Sequence, residues 1–196
     1  MKQLVLVIFL TVITSVIQAG DATAGKNKSM LCSTCHGSEG ISMAGNWPNL
    51  AGQHEKYLAK QLTEYKSGKR NNAQMSGMAM PLSEEDIADL SAYYASLEAD
   101  LGEVKENFLV LGKEIYDRGA EGVMACTACH GPNGKGLAAA GFPNLSGQKV
   151  DYTITTLKEF RAGIRNNDMN GMMRDIAKAM SDEQIEAVAN YLLGLH

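Results

Sequence analysis

The sequence predicts an all-α protein made of two tandem copies of one helical unit. Three observations predict it: a motif that occurs twice, further segments that keep step with it, and apolar residues at three- and four-residue spacing without persuasive strand alternation. "MLCSTCHGSEG" at 30–40 returns as "MACTACHGPNG" at 124–134, so Cys32, Cys35 and His36 map onto Cys126, Cys129 and His130 at an offset of 94. "WPNLAGQ" at 47–53 matches "FPNLSGQ" at 142–148, and "YLAKQLTEYKSGKRNN" at 57–72 matches "YTITTLKEFRAGIRNN" at 152–167, both at 95. "LSEEDIADLSAYYASL" at 82–97 matches "MSDEQIEAVANYLLGL" at 180–195 at 98. Such small drifts mean loop insertions within one fold. Each unit is too long for a solenoid repeat and near the lower end of an independent domain.

Taken in order, residues 1–19 read as a secretory leader: Lys2, the apolar run "LVLVIFLTVITSVI", then Gln18 and the small pair Ala19–Gly20, where cleavage is expected. The run is short for a membrane-spanning helix. The first domain is expected over 20–100 and the second over 101–196, with the seam in the charged "EADLGEVKEN" at 98–107. A first helix is expected around Ala22–Met30 and again around Phe108–Asp117. "HEKYLAKQLTEYKSG" and "VDYTITTLKEFRAG" read as middle helices ended by Gly68 and Gly163. Ser181 with Gln184 is a capping box that opens the last helix, and Ser83 with Asp86 is a looser form of it. Behind them Ile87, Leu90, Tyr94 and Leu97, and likewise Ile185, Val188 and Leu192, form a core-facing stripe. Gly25 and Gly112 sit where the last helix, near Tyr93 and Tyr191, could cross closely.

At 45% hydrophobic and 20% charged, the 196-residue chain can bury a core and is neither disordered nor disulfide-dense. Without the leader, 17 basic residues face 22 acidic ones, a formal charge of −5, so nucleic acid is not an expected partner.

The four cysteines could form two short disulfides, or each pair a thioredoxin-type centre. Neither explains a histidine directly after the second cysteine in both copies. Cys-x-x-Cys-His is the signature of c-type haem attachment, in which two thiols bond to the porphyrin and the histidine ligates iron. Cys32, Cys35 and His36 would serve one covalently attached haem c, and Cys126, Cys129 and His130 the other. His54 and His196 have no counterpart in the other half and read as ordinary surface residues.

The second axial position separates a closed electron carrier from an open reactive site. Six of the eleven methionines fall in two clusters before the last helix: Met75, Met78 and Met80, then Met169, Met172 and Met173. These stretches read as loops too polar for core, whereas Met30, Met124 and Met180 read as core fillers. Met75 and Met173 each stand eight residues before a capping serine, which pairs them as ligands. Aligning "MSGM" with "MNGM" would instead favour Met169 or Met172 in the second domain. Pro48 and Pro143 could each offer a carbonyl to a histidine Nδ1–H.

Through the two CxxCHG segments, "NWPNLAGQ" and "GFPNLSGQ", the paired "RNN" stretches, the methionine clusters and the ending "YLLGLH", the chain resembles the dihaem cytochrome c4 family of bacterial periplasmic electron carriers. The resemblance implies two class I cytochrome c domains related by a pseudo-twofold axis, with His/Met haems facing each other across the interface. It implies a monomeric periplasmic protein, not an enzyme, that carries electrons from the quinol-oxidising part of a respiratory chain to a terminal oxidase and docks peripherally to membrane complexes. It also supports Met173, the methionine before Arg174, as the second-domain ligand. Two rivals differ in kind. One is a haem subunit of a periplasmic oxidoreductase such as a flavocytochrome. The other is a copper carrier using "MSGMAM", which leaves both CxxCH segments unexplained.

Overall fold

The computed structural model describes residues 19–196, so the expected leader lies outside the described residues except for Ala19. Five helices build the first domain: α1 (Ala22–Lys28), α2 (Met30–His36), α3 (Glu55–Lys66), α4 (Ala73–Ala79) and α5 (Glu84–Ser96). Five more build the second: α6 (Glu106–Arg118), α7 (Thr127–His130), α8 (Val150–Arg161), α9 (Met172–Lys178) and α10 (Asp182–Leu193). Among the described residues β pairing is limited to two isolated bridges, Ala120 with Val123 and Leu137 with Phe142. No described helix is long and apolar enough to cross a membrane.

The helix ends follow local chemistry. Ser181 and Gln184 form the expected capping box, and Ser83 with Asp86 is a complete one: each side chain accepts from the other's backbone N–H. Gly68 and Gly163 take φ of 77° and 72° just past α3 and α8, a conformation that favours glycine. In the first domain the cysteine motif continues almost directly from the first helix. Residues 30–36 are themselves helical, and only Ser29 separates α1 from α2.

In each domain the first helix crosses the last at a glycine. A Cβ at Gly112 would lie 2.5 Å from the Ala187 carbonyl oxygen and 2.6 Å from Tyr191 Cβ. One at Gly25 would strike the Asp89 carbonyl and lie 2.8 Å from Tyr93 Cβ. The crossing buries Leu90, Tyr93 and Tyr94 with Leu58 in the first domain, and Ile115, Tyr116, Ile185, Val188 and Tyr191 in the second. Met180 is core as expected, but Met30 and Met124 are not. They are 81% and 60% exposed at the rims of the cysteine motifs, because residues just before the first cysteine face away from the helix crossing.

The seam is a strap held to both domains. Asp100 closes on Gly147, Ala99 on Gly52, and Gly102 N–H donates to the Leu193 carbonyl at 2.9 Å. The domains are then joined by a twofold set of hydrogen bonds from the repeated "PNLxGQ". Asn49 N–H donates to Gln148 Oε1 (2.8 Å) and Gln148 Nε2 returns to the Asn49 carbonyl (3.0 Å). Asn144 N–H donates to Gln53 Oε1 (2.9 Å) and Gln53 Nε2 returns to the Asn144 carbonyl (2.8 Å). Asn49 and Asn144 also reach Gly147 and Gly52. All four side chains are largely buried and their polar atoms paired, so removing one strands its partner at about 1–3 kcal/mol.

Candidate functional site

Helix α2 holds Cys32, Cys35 and His36 within two turns, and Cys126, Cys129 and His130 sit at the same turn of the second domain. All four cysteines are unbonded and half-buried, which removes the disulfide reading. Burial pushes the Cys126 thiol up to about 11 and raises that of Cys32. A redox thiolate centre needs the opposite shift, so these are neutral thiols.

The histidines are prepared as ligands. His36 and His130 are each 6% exposed. Burial depresses both pKa values, and the proline carbonyls offset this only in part, so the rings are neutral at pH 7. His36 Nδ1 lies 2.9 Å from the Pro48 carbonyl and His130 Nδ1 3.0 Å from that of Pro143. A carbonyl only accepts, so Nδ1 carries the proton and Nε2 keeps its lone pair.

The methionine clusters are helical rather than loops, a correction to the sequence reading. Met75 and Met78 lie in α4, which starts at Asn72, whose side chain accepts from Met75 N–H at 2.9 Å. Gln74 Nε2 approaches Cys35 Sγ at 3.9 Å, which puts the start of α4 beside the motif. In the second domain Met169 begins a 3-10 turn and Met172–Met173 begin α9, with the buried Asp168 carboxylate holding Arg174 Nε at 2.8 Å. Met173 packs against the core that also receives Cys126, whereas Met169 is 49% exposed. Met75 is half-buried, and Met80 faces solvent.

Between the domains lies a cluster that reading by motif missed. Arg70 and Arg165 are each 6% exposed and reach across the seam, Arg70 Nη2 to Tyr152 Oη (3.1 Å) and Arg165 Nη2 to Tyr57 Oη (2.9 Å). Each guanidinium also stacks on its own domain's ring, Tyr65 or Phe160. Gln61 Oε1 accepts from Arg70, Arg165 and Asn167, which leaves Gln61 Nε2 a buried donor without an acceptor. Burial would push the Tyr152 hydroxyl up, but the two arginines outweigh it and bring it to about 8. Among the described residues neither arginine has a carboxylate within ion-pair distance. Two buried cations and an orphaned donor are an incomplete charge arrangement, and an anion completes it. Haem supplies propionate carboxylates, so the unbonded cysteine pairs, neutral imidazoles and buried arginines fit that group. The sequence did carry a signal, the repeated "RNN", but not its purpose. His54, read as ordinary surface, instead joins the domains through Nε2 and the Lys135 carbonyl at 2.8 Å.

The cytochrome c family profile matches residues 22–98 and 109–196. The chain is 45% identical over 181 residues to a cytochrome c4 of Pseudomonas aeruginosa, covering 91% of this chain and 90% of the relative. It superposes on the crystal structure of reduced recombinant cytochrome c4 from Pseudomonas stutzeri with a TM-score of 0.88 and 42% identity, covering 91% of this chain and all of the other. A thiosulfate dehydrogenase electron acceptor of Stutzerimonas stutzeri is 38% identical, covering 83% of this chain and 78% of the relative.

Proposed function

Because this chain belongs to the cytochrome c family and, within it, to the dihaem cytochrome c4 proteins, we propose that it carries electrons in the periplasm, from the quinol-oxidising part of a respiratory chain to a terminal oxidase. It is an electron-transfer protein with two covalently attached haem c groups. The bound group supplies a one-electron ferric/ferrous couple. Everything else is the work of the chain. Cys32 and Cys35, and Cys126 and Cys129, would hold the porphyrins through thioethers. His36 and His130 would give Nε2 to the irons, with ring orientation set by Pro48 and Pro143. Met75 and Met173 would offer thioether sulfur to the irons, and a soft sulfur ligand favours the ferrous state relative to a second imidazole. Arg70 and Arg165 compensate carboxylates at the seam.

The observation that carries this reading is the pair of buried, neutral imidazoles, each tied by Nδ1 to a proline carbonyl beside an unbonded cysteine pair, in both domains. If Met75 and Met173 also bind the irons, no coordination position would stay open to substrate. The exposed rims at Met30, Leu31 and Met124 leave the cysteine edges near the surface, as transfer to a docked partner requires. The leader over residues 1–19 and the domains 20–100 and 101–196 belong to the same reading. On that reading the chain matures outside the cytoplasm, and the mature protein is a monomer that docks peripherally to its membrane complexes.

The test is carbon monoxide binding to the ferrous protein, with haem content measured on the same sample. Two haems per chain and no fast carbon monoxide complex are expected. Rapid binding at either haem would remove a methionine ligand and turn the search to catalysis or gas sensing.

One relative favours a second reading. A thiosulfate dehydrogenase electron acceptor at 38% identity supports service to a periplasmic oxidoreductase instead of a quinol-oxidising complex. Native purification with a tightly bound dehydrogenase or flavoprotein subunit would select it.

A further inference from the structure

The two domains place a phenol in the same core layer from opposite helices. Position 94 on α5 is tyrosine, and its counterpart 98 residues on is Leu192. Position 29, just before α2, is serine, and its counterpart on α6, by the Gly25–Gly112 pairing, is Tyr116. So the first domain has Tyr94 facing Ser29, and the second has Tyr116 facing Leu192. Each layer keeps one phenol, but the partner shrinks from leucine to serine in the first domain and the two hydroxyls are not equivalent.

Tyr116 is fully buried, and its hydroxyl donates to the Gly131 carbonyl at 2.5 Å, so its proton is committed. Tyr94 is 3% exposed, and its hydroxyl makes no hydrogen bond among the described residues. Its polar neighbours are the Cys32 thiol and the Ser29 hydroxyl, and Cys32 packs against the cluster that contains Tyr94. Ser29 Oγ donates its proton to the Lys26 carbonyl at 2.8 Å and makes no hydrogen bond with the phenol. A buried hydroxyl without an acceptor costs about 1–3 kcal/mol, so the fold has reason to retain Tyr94 only where an acceptor arrives.

We propose that the Tyr94 hydroxyl is a positioning donor directed at the Cys32 side of the first haem, and that it sets the first haem's reduction potential apart from the second's. This rests on Cys32 being an attachment point, as argued above. Once Cys32 is a thioether it has no proton to give. The sulfur and the adjoining ring edge are then the electron-rich acceptors beside the phenol. A donor dipole there draws electron density from the porphyrin, disfavours the ferric charge and raises the potential. Tyr116 cannot do the same, because its proton is held by Gly131.

The experiment is a redox titration of Tyr94→Phe, followed by visible absorption and by the haem-methyl resonances that distinguish the two haems. Covalent haem content is measured by intact mass. The expected result is two haems per chain, a lower potential for the first haem and an unchanged second. Tyr116→Phe is expected to lower thermal stability while leaving both potentials in place. Unchanged potentials in Tyr94→Phe, equal shifts at both haems, or the same shift from Ser29→Ala would overturn the proposal. One haem per chain in the unsubstituted protein would instead overturn the attachment reading on which it rests.

Discussion

Domain one and domain two share a backbone plan but reach their cysteine motifs by different routes. In the first, a single residue separates α1 from α2, and seven residues lead from Gly25 to Cys32. In the second, α6 runs to Arg118 and a turn through Gly119 and Gly122 intervenes, so fourteen residues lead from Gly112 to Cys126. The helix crossing, the proline–histidine contact and the "PNLxGQ" exchange survive this insertion unchanged. Side chains away from those points do not: Lys69 becomes the exposed Ile164, Gln61 becomes Thr156, and Tyr94 becomes Leu192. The comparison teaches that duplication fixed the backbone contacts and left the surroundings of each site free to differ.

The largest effect that would sharpen this comparison is at the ligands. Met75→His should lower the first haem's potential by a sizeable part of the ~0.8 V that axial ligands command, and Met173→His should do so for the second. Spectroelectrochemical titration reads both. An unshifted first haem in Met75→His removes Met75 from the ligand set.

Next come the two helix crossings, which should behave alike. Gly112→Ala is expected to cost about 1–3 kcal/mol in chemical denaturation of the haem-loaded protein. Gly25→Ala should sit at or above the top of that range, because a Cβ there would lie closer to the Asp89 backbone carbonyl oxygen than the 2.5 Å that separates one at Gly112 from that of Ala187. A neutral result in either would mean that the helices slide apart at little cost.

The smallest effect tests an asymmetry. Glu64 is nearly buried against the second domain, where Asn167 Nδ2 (2.6 Å) reaches it, and it pairs with Lys60 (2.6 Å) and Lys69 (2.9 Å). Burial alone would raise its pKa, but these partners outweigh it and leave it below the ordinary 4.5. A depressed carboxyl adds stability that is present above the unfolded value and is lost as the pH falls through the folded one. The melting midpoint should therefore fall between about pH 5 and about pH 3 more steeply in the unsubstituted protein than in Glu64→Gln. Each kcal/mol corresponds to about 2–4 °C for a chain of this size. Glu159→Gln, the counterpart outside any ion pair among the described residues, is the comparison substitution.

Much of this was legible without coordinates. Helical periodicity, capping serines and the glycines at 25 and 112 depend on neighbours within a few residues, and the structure places them as read. Pro48 and Pro143 were legible because attachment fixes each histidine only a short loop away. Other readings failed for a physical reason. "MSGMAM" looks like a loop because its glycine and serine lower helix propensity, yet Asn72 caps it into α4 against α3. Met30 and Met124 look like core, but Met30 opens α2 and Met124 sits in the loop before α7, and both face solvent.

The duplication, the all-α class and the cysteine–histidine motifs are legible in residue order alone, because repeats and local periodicity do not depend on distant contacts. The seam is set by packing. Asn49 meets Gln148, Gln53 meets Asn144, and Arg70 meets Tyr152 across 82 to 99 residues of chain. Such partners are chosen by where packed helices deliver them, and a buried polar group must then find whatever partner lies opposite.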